Sequence, residues 1–303
     1  MSDDIVIKDG YMYGGWRQPE NFVFKFRTIK KDLGSSFDMD LSLNIHDDKV
    51  AKKVGMRGGT VRGTVHLNLF PPLLIKLFGN RWFEKGSLSM YYTYALKPGE
   101  KVRAVIALPP EGVEDVQLEA RVEMENGQLV EKGTVSLGNP KEPSYIRSLD
   151  LVNETKELRV LAGYKVGDAL PTRDVLISEA LMNDILPTIT DNIDYYTGES
   201  PWGEPIVTPN IIYMAMELLF APTISKGAIP FFGATEIRNI NGPVKVGVPY
   251  KATGKFVSLG QTSKTEYYWQ DSFLEEKETG KLVADMRHMN RFMKATSPLY
   301  RNG

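Results

Sequence analysis

Apolar and polar positions alternate in two separate blocks of the chain, and each block follows an apolar run of helical length. In the first block, residues 87–96 and 102–108 read as strands around the turn Lys97-Pro98-Gly99-Glu100. Residues 116–124 and 128–137 flank Glu125-Asn126-Gly127, and Asn-Gly between alternating runs is a strong hairpin signal. In the second block, residues 248–259 precede a long strand pair, 264–273 and 282–292, turning at Glu278-Thr279-Gly280. The apolar stretch 206–222 contains Asn210 and Glu217 and reads as a buried helix rather than a membrane span. One helix followed by a meander of long strands implies a sheet packed around that helix.

The two blocks align with each other. The segment starting at Gly55 pairs with the one starting at Ser200, an offset of 145. Gly86 pairs with Gly233 at 147, Gly99 with Gly247 at 148, and Asn126-Gly127 with Thr279-Gly280 at 153. The offsets rise steadily, as small loop insertions produce, and the ordered series indicates a duplication. Residues 139–155 are polar, with two prolines, and read as the connector. The expected division is 1–150 for the first half and 151–303 for the second.

Composition narrows the chemistry. The chain is 42% hydrophobic and 25% charged, with 37 basic and 38 acidic residues and a net charge of -1. Such a balance points away from nucleic acid. There is no cysteine, so disulfides, thiolate catalysis and cysteine metal sites are excluded. Three dispersed histidines argue against a zinc site, and no metal or cofactor is expected. Gly14-Gly15 and Gly58-Gly59 lack the Gly-Lys-Ser/Thr of a phosphate loop. The polar start MSDDIVIKDG does not read as a signal peptide, and the expected location is cytoplasmic.

Three segments resemble the MaoC-like acyl dehydratases and hydratases of the hotdog fold. The first is Ile45-His46-Asp47-Asp48 with Ala51, followed by Gly58-Gly59-Thr60-Val61-Arg62-Gly63. The second runs from Phe78-Gly79-Asn80-Arg81-Trp82 through Gly86-Ser87-Leu88-Ser89 to Pro98-Gly99-Glu100. The third is Tyr164-Lys165-Val166-Gly167-Asp168 before Tyr195-Tyr196-Thr197-Gly198. The resemblance implies an α+β double hotdog: two long central helices, each wrapped by an antiparallel β-sheet, with the sheets joined side by side. It also implies an acyl thioester on coenzyme A or acyl carrier protein as substrate.

In that family an Asp and a His share a water, and an amide at the start of the central helix receives the thioester carbonyl, using the unpaired N–H groups and the helix dipole. By resemblance, His46 is the catalytic histidine. The family's Asp position is Leu41 here, and Asp40 is the nearest acid that a bulge or helical turn could bring into register. Gly63, with Thr64, marks the helix start near the carbonyl, and His66 lies one turn on. Arg57, Arg62 and Lys76 are candidate phosphate contacts. Each has a plainer reading: Asp47-Asp48 as helix capping, Gly63 as a loop glycine, His66 as a packed polar residue. In the second half, Asp191-Asn192 and Pro209 stand where His46 and Gly63 do, so that half is expected to complete the pocket rather than act. Asp194, Tyr195 and Tyr196 are polar candidates there. His288, between Arg287 and Arg291, reads as lying on a solvated strand face.

The leading reading is an enoyl-thioester hydratase or dehydratase. A thioesterase of the same fold, and a degenerate hotdog protein that binds, isomerises or cyclises an apolar substrate, stay open as alternatives. Further homodimerisation is expected because closed symmetric pairs are common.

Overall fold

The computed structural model describes residues 4–21, 32–33, 44–198, 200–219 and 221–300. Among the described residues, eleven strands form one antiparallel sheet. In chain order they are β1 (Val6–Lys8), β2 (Tyr11–Tyr13), β3 (Gly86–Tyr92), β4 (Val102–Ala107), β5 (Val116–Met124), β6 (Leu129–Leu137), β7 (Arg173–Leu176), β8 (Ile229–Asn239), β9 (Pro249–Gln261), β10 (Thr265–Glu276) and β11 (Leu282–Met293). Across the sheet the order is β1-β2-β4-β5-β6-β3-β8-β11-β10-β9-β7. The seam is the β3–β8 pair, with Ser87 opposite Arg238 and Tyr91 opposite Ala234. On one side lie strands from the first block, and on the other those from the second.

The alternation behaves as the pleat requires. In β5, Val116, Leu118, Ala120 and Val122 are buried while Glu119 is exposed. The helices pack on the inner face. They are α1 (Asp48–Lys53), α2 (Gly63–His66), α3 (Pro71–Phe78), α4 (Arg81–Lys85), α5 (Glu179–Ile185), α6 (Pro209–Met216) and α7 (Ala221–Ile224). Val65, Leu67, Phe70, Leu73 and Leu74 join Leu88, Met90, Ala104, Val122 and Val135 in one core with Ile211, Ile212, Met214 and Met216.

The sheets join as expected, but the central helices are shorter than the sequence suggested. In the first half, α2 passes into a 3₁₀ turn over Leu67–Leu69 before α3 starts at Pro71. Pro71 and Pro72 lack the N–H groups that would continue the hydrogen bonding from α2, and both sit in the first turn of α3, where a missing N–H costs nothing. In the second half, α6 ends at Met216 because Glu217 turns to extended backbone. Side chains from the sheet take the freed carbonyls: Gln270 Nε2 donates to Met216 O at 3.4 Å, Arg173 to Glu217 O, and the Tyr268 hydroxyl to Leu219 O at 3.1 Å.

Residues 139–155 are more than a linker. Ile146, with Tyr145, Leu149 and Leu151, covers Ala234, Trp269 and Met289 on the outer face of the sheet. Arg147 fastens this cover to Glu236 at 2.5 Å and Asp285 at 2.9 Å, and Ser144 donates to Glu236. Burial on both faces explains why β10 and β11 are richer in buried residues than simple alternation allows.

Candidate active site

His46 lies just ahead of α1. The helix is capped by Asp47, whose carboxylate accepts from Lys49 N at 2.9 Å and Val50 N at 3.0 Å. Asp48 accepts from Gly59 N at 3.2 Å and pairs with Lys52 at 2.6 Å. The acid pair therefore organises the loop. His46 Nδ1 faces the Thr60 carbonyl at 2.7 Å, so this nitrogen carries the hydrogen. Nε2 accepts from Arg62 Nε at 3.1 Å. Both ring nitrogens are engaged. Burial, reinforced by the Arg62 charge and opposed by the Thr60 bond, lowers the His46 pKa to about 3. Burial also lowers Arg62, to about 10, so it still carries its charge at neutral pH.

His66, on α2, is differently placed. Its Nδ1 is 2.5 Å from Glu131 Oε1 on β6, and both side chains are buried. His66 Nε2 and Glu131 Oε2 have no hydrogen-bond partner among the described residues. Burial pushes the Glu131 carboxyl up, against the pull of His66. The alternation of β6 contained a signal for this residue. Val135 and Gly133 are buried, and stepping back by two puts Glu131 on the same inward face.

Glu131 begins a polar row across five neighbouring strands. Tyr92 is its partner in the β3–β6 ladder. The Tyr92 hydroxyl donates to Thr235 Oγ1 on β8 at 2.7 Å, and Thr235 Oγ1 lies 2.8 Å from His288 Nδ1 on β11. Gln270 on β10 is the ladder partner of His288. His288 is thus fully buried, not on a solvated face. It shares the inward parity of Ala284, Met286 and Phe292 and packs beneath Tyr213 of α6, with ring centroids 4.9 Å apart. Its Nε2 is 3.6 Å from Glu217 Oε2. Burial lowers the His288 pKa to about 3 and raises that of Glu217 to about 8. Tyr213, Asn290, the Leu219 amide and Arg173 hold Glu217 below where burial alone would take it.

The two polar groups are linked through Tyr92 and Thr235, and α2 and α6 lie against each other. Asn210 N, in the first turn of α6, donates to Asn68 Oδ1 just beyond α2 at 3.1 Å. Gly63 is in place at the helix start. A Cβ there would stand 2.7 Å from ring atoms of Tyr92, so the glycine makes room for that ring. Thr64 Oγ1 is buried without a partner among the described residues.

Other predicted residues are accounted for separately. Asp40 lies outside the described residues. Asp191 accepts from Arg17 Nε at 3.0 Å, and burial, opposed by Arg17, raises its pKa to about 6. Tyr195 donates to Asn80 Oδ1 at 2.9 Å, Tyr196 is buried, and Asp194 starts a 3₁₀ turn. Arg57 is held by Glu100 at 2.6 Å. Among the described residues no group of three His, Asp or Glu side chains could hold a metal ion, and no helix is long and apolar enough to cross a membrane. Glu131, Tyr92, Thr235 and Glu217 escaped sequence reasoning, which looked for chemistry beside the family motif.

No protein-family model matches the sequence, and no curated protein sequence does. Solved structures do. A candidate MaoC domain protein dehydratase from Chloroflexus aurantiacus J-10-fl superposes with a TM-score of 0.56 at 11% identity, over 92% of this chain and 95% of that one. A conserved hypothetical protein from Mycobacterium tuberculosis, described as having a double hotdog fold, gives 0.55 at 12% identity, over 92% and 96%. The chain has the double hotdog fold, the architecture it shares with MaoC-like dehydratases. At these identities the likeness is one of fold.

Proposed function

We propose that the chain is an acyl-thioester hydratase or dehydratase, acting on an enoyl or 3-hydroxyacyl group carried by coenzyme A or acyl carrier protein. The carrying observation is the His66–Glu131 pair. A histidine with one nitrogen on a buried carboxylate and the other unpartnered is an oriented base, the arrangement proton transfer needs. His46 has neither nitrogen to spare, so the base moves from His46 to His66. His46 then holds Arg62, whose charge, with the Gly63 and Thr64 backbone, stabilises the enolate oxygen. Asp40 keeps its proposed share in binding water.

Dehydration also needs an acid. Glu217, protonated at neutral pH and backed by His288, supports that role. His66 Nε2 removes the α-proton, the electron pair forms the Cα–Cβ double bond, the Cβ–O bond breaks, and the leaving hydroxyl takes the Glu217 proton to depart as water. Hydration is the reverse. The division into halves 1–150 and 151–303 fits a site that draws its base from one half and its acid from the other.

The test is to follow enoyl-CoA absorbance together with release of free thiol. We expect absorbance to fall without thiol release. His66→Gln should lower the rate by about 10²-fold or more, the usual contribution of a positioned base, and His46→Gln by less. Thiol release would instead favour the thioesterase reading. An unaffected His66→Gln would remove His66 from the mechanism.

A further inference from the structure

The role given to Glu217 leaves open what keeps its partner His288 in a useful state. A neutral imidazole has two tautomers, and burial keeps His288 neutral across the ordinary pH range. One tautomer offers Glu217 an N–H, the other a lone pair. The choice is made at the far nitrogen, and Thr235 stands there.

Thr235 is fully buried on a central strand, opposite Met90 of β3 and His288 of β11. A threonine hydroxyl has one hydrogen to give and can accept others. It accepts from the Tyr92 hydroxyl at 2.7 Å, and its own hydrogen can go to His288 Nδ1 at 2.8 Å. With Nδ1 accepting, the imidazole hydrogen sits on Nε2, which faces Glu217 Oε2 at 3.6 Å. The two hydrogen bonds then run in one direction, Tyr92 to Thr235 to His288, the first polarising the second, and they leave the Nε2 hydrogen facing Glu217. The chain starts at the ring packed on Gly63 and ends facing the proposed acid.

We propose that Thr235 is a positioning residue: by accepting from Tyr92 and donating to His288 Nδ1, it fixes the His288 tautomer whose Nε2–H points at Glu217. The proposal rests on the reading of Glu217 as the acid of the site. Other groups face the same pair. Arg173 of β7 bonds the Glu217 carbonyl, Tyr213 of α6 and Tyr268 of β10 flank the carboxyl, and Asn290 and the Ala234 carbonyl approach the imidazole. The Ala234 carbonyl can only accept, so a contact with Nδ1 would favour the opposite tautomer. Thr235 is the donor that decides against it.

The tautomer can be measured without turnover. The chain has three histidines, so ¹⁵N spectra of labelled protein, assigned with His→Gln variants, separate their ring nitrogens. For His288 we expect a bare Nδ1 and a protonated Nε2 in the unmodified protein. Thr235→Val keeps the shape but removes the hydroxyl and should change the His288 signals, whereas Thr235→Ser should preserve them. A protonated Nδ1 in the unmodified protein overturns the proposal, even if Thr235→Val does not fold. So do unchanged His288 signals in a folded Thr235→Val.

The kinetic arm uses the pH profile of 3-hydroxyacyl-CoA dehydration, the direction in which Glu217 gives its proton. Losing the Nε2–H that faces Glu217 disfavours the ionised carboxylate, so the alkaline limb should move up in Thr235→Val, by at most about one pH unit, the upper bound set by a full hydrogen bond, and return in Thr235→Ser. An unmoved limb counts against Thr235 as a positioning residue. A chain that turns over no enoyl thioester defeats the functional reading, and the tautomer then decides the Thr235 proposal by itself.

Discussion

Replacing Glu217 by glutamine removes a proton equilibrium from the core while keeping the side chain's size. The bond from Arg173 goes to the Glu217 backbone carbonyl and is untouched. In the folded chain the carboxyl titrates at about 8, against an ordinary value of 4.5. Between those values the folded state holds a proton that the unfolded state has lost. The associated stability is fully present below pH 4.5 and is lost as pH rises through about 8. At about 1.4 kcal/mol per pH unit the whole interval amounts to about 5 kcal/mol, of which about 2 to 3 kcal/mol falls between pH 6 and pH 8.5. Urea unfolding of the unmodified chain and of Glu217→Gln at pH 6 and pH 8.5 reads this directly. We expect the unmodified chain to lose that much more stability than the variant over the interval. Parallel losses in the two proteins would show that Glu217 does not carry its proton into the folded core, and the acid assigned to the site would go with it.

Three further outcomes follow from the same geometry. His46 and His288 are both lowered to about 3, so the stability tied to their neutral forms is present above pH 6.5 and is lost as pH falls towards 3; His46→Gln should flatten that acid limb in unfolding curves taken from pH 7 to pH 4. Gly63→Ala sets a Cβ 2.7 Å from the Tyr92 ring and should cost about 1–3 kcal/mol by thermal unfolding, with part recovered by adding Tyr92→Leu. Arg17→Met leaves Asp191 buried without the cation 3.0 Å away and should destabilise by about 3 kcal/mol, most of it regained when Asp191→Asn is added.

The strands were legible because alternation and turn chemistry agree. Residues 116–124 match β5, and Asn126-Gly127 makes the turn into β6, with Gly127 at φ 81°. The central helices were less legible, because their ends are set by prolines and by polar side chains arriving from distant strands, as Gln270 and Tyr268 do at the end of α6. Motif spacing singled out the loop of His46 and the start of α2. It did not reveal that Arg62 occupies the second nitrogen of His46, a contact that depends on how the loop folds back. Glu131 and His288 were readable in principle. Each is a polar residue on the inward parity of an otherwise apolar strand, and such a position is informative whatever motif lies nearby.

The offsets between the halves carry the argument one step further. Shifted by 147 and 153, the ladder partners Leu88 and Val135 fall on Thr235 and His288, which are themselves ladder partners. The same shift takes Glu131 to Ala284, and all five residues other than Leu88 are fully buried, with Leu88 nearly so. Where the first half is apolar, the second is polar, and where the second has a methyl group, the first has a carboxylate. A pair of halves keeping two equal sites would repeat its polar residues at matching positions. Here the polar positions are complementary, and the Tyr92–Thr235–His288 bonds cross the β3–β8 seam to bring them together. Buried polar groups cost stability unless their partners are in place, so each half is poorly suited to carry its share alone. That asymmetry favours one site per chain, in which the second half supplies the Thr235, His288 and Glu217 side chains rather than only a wall.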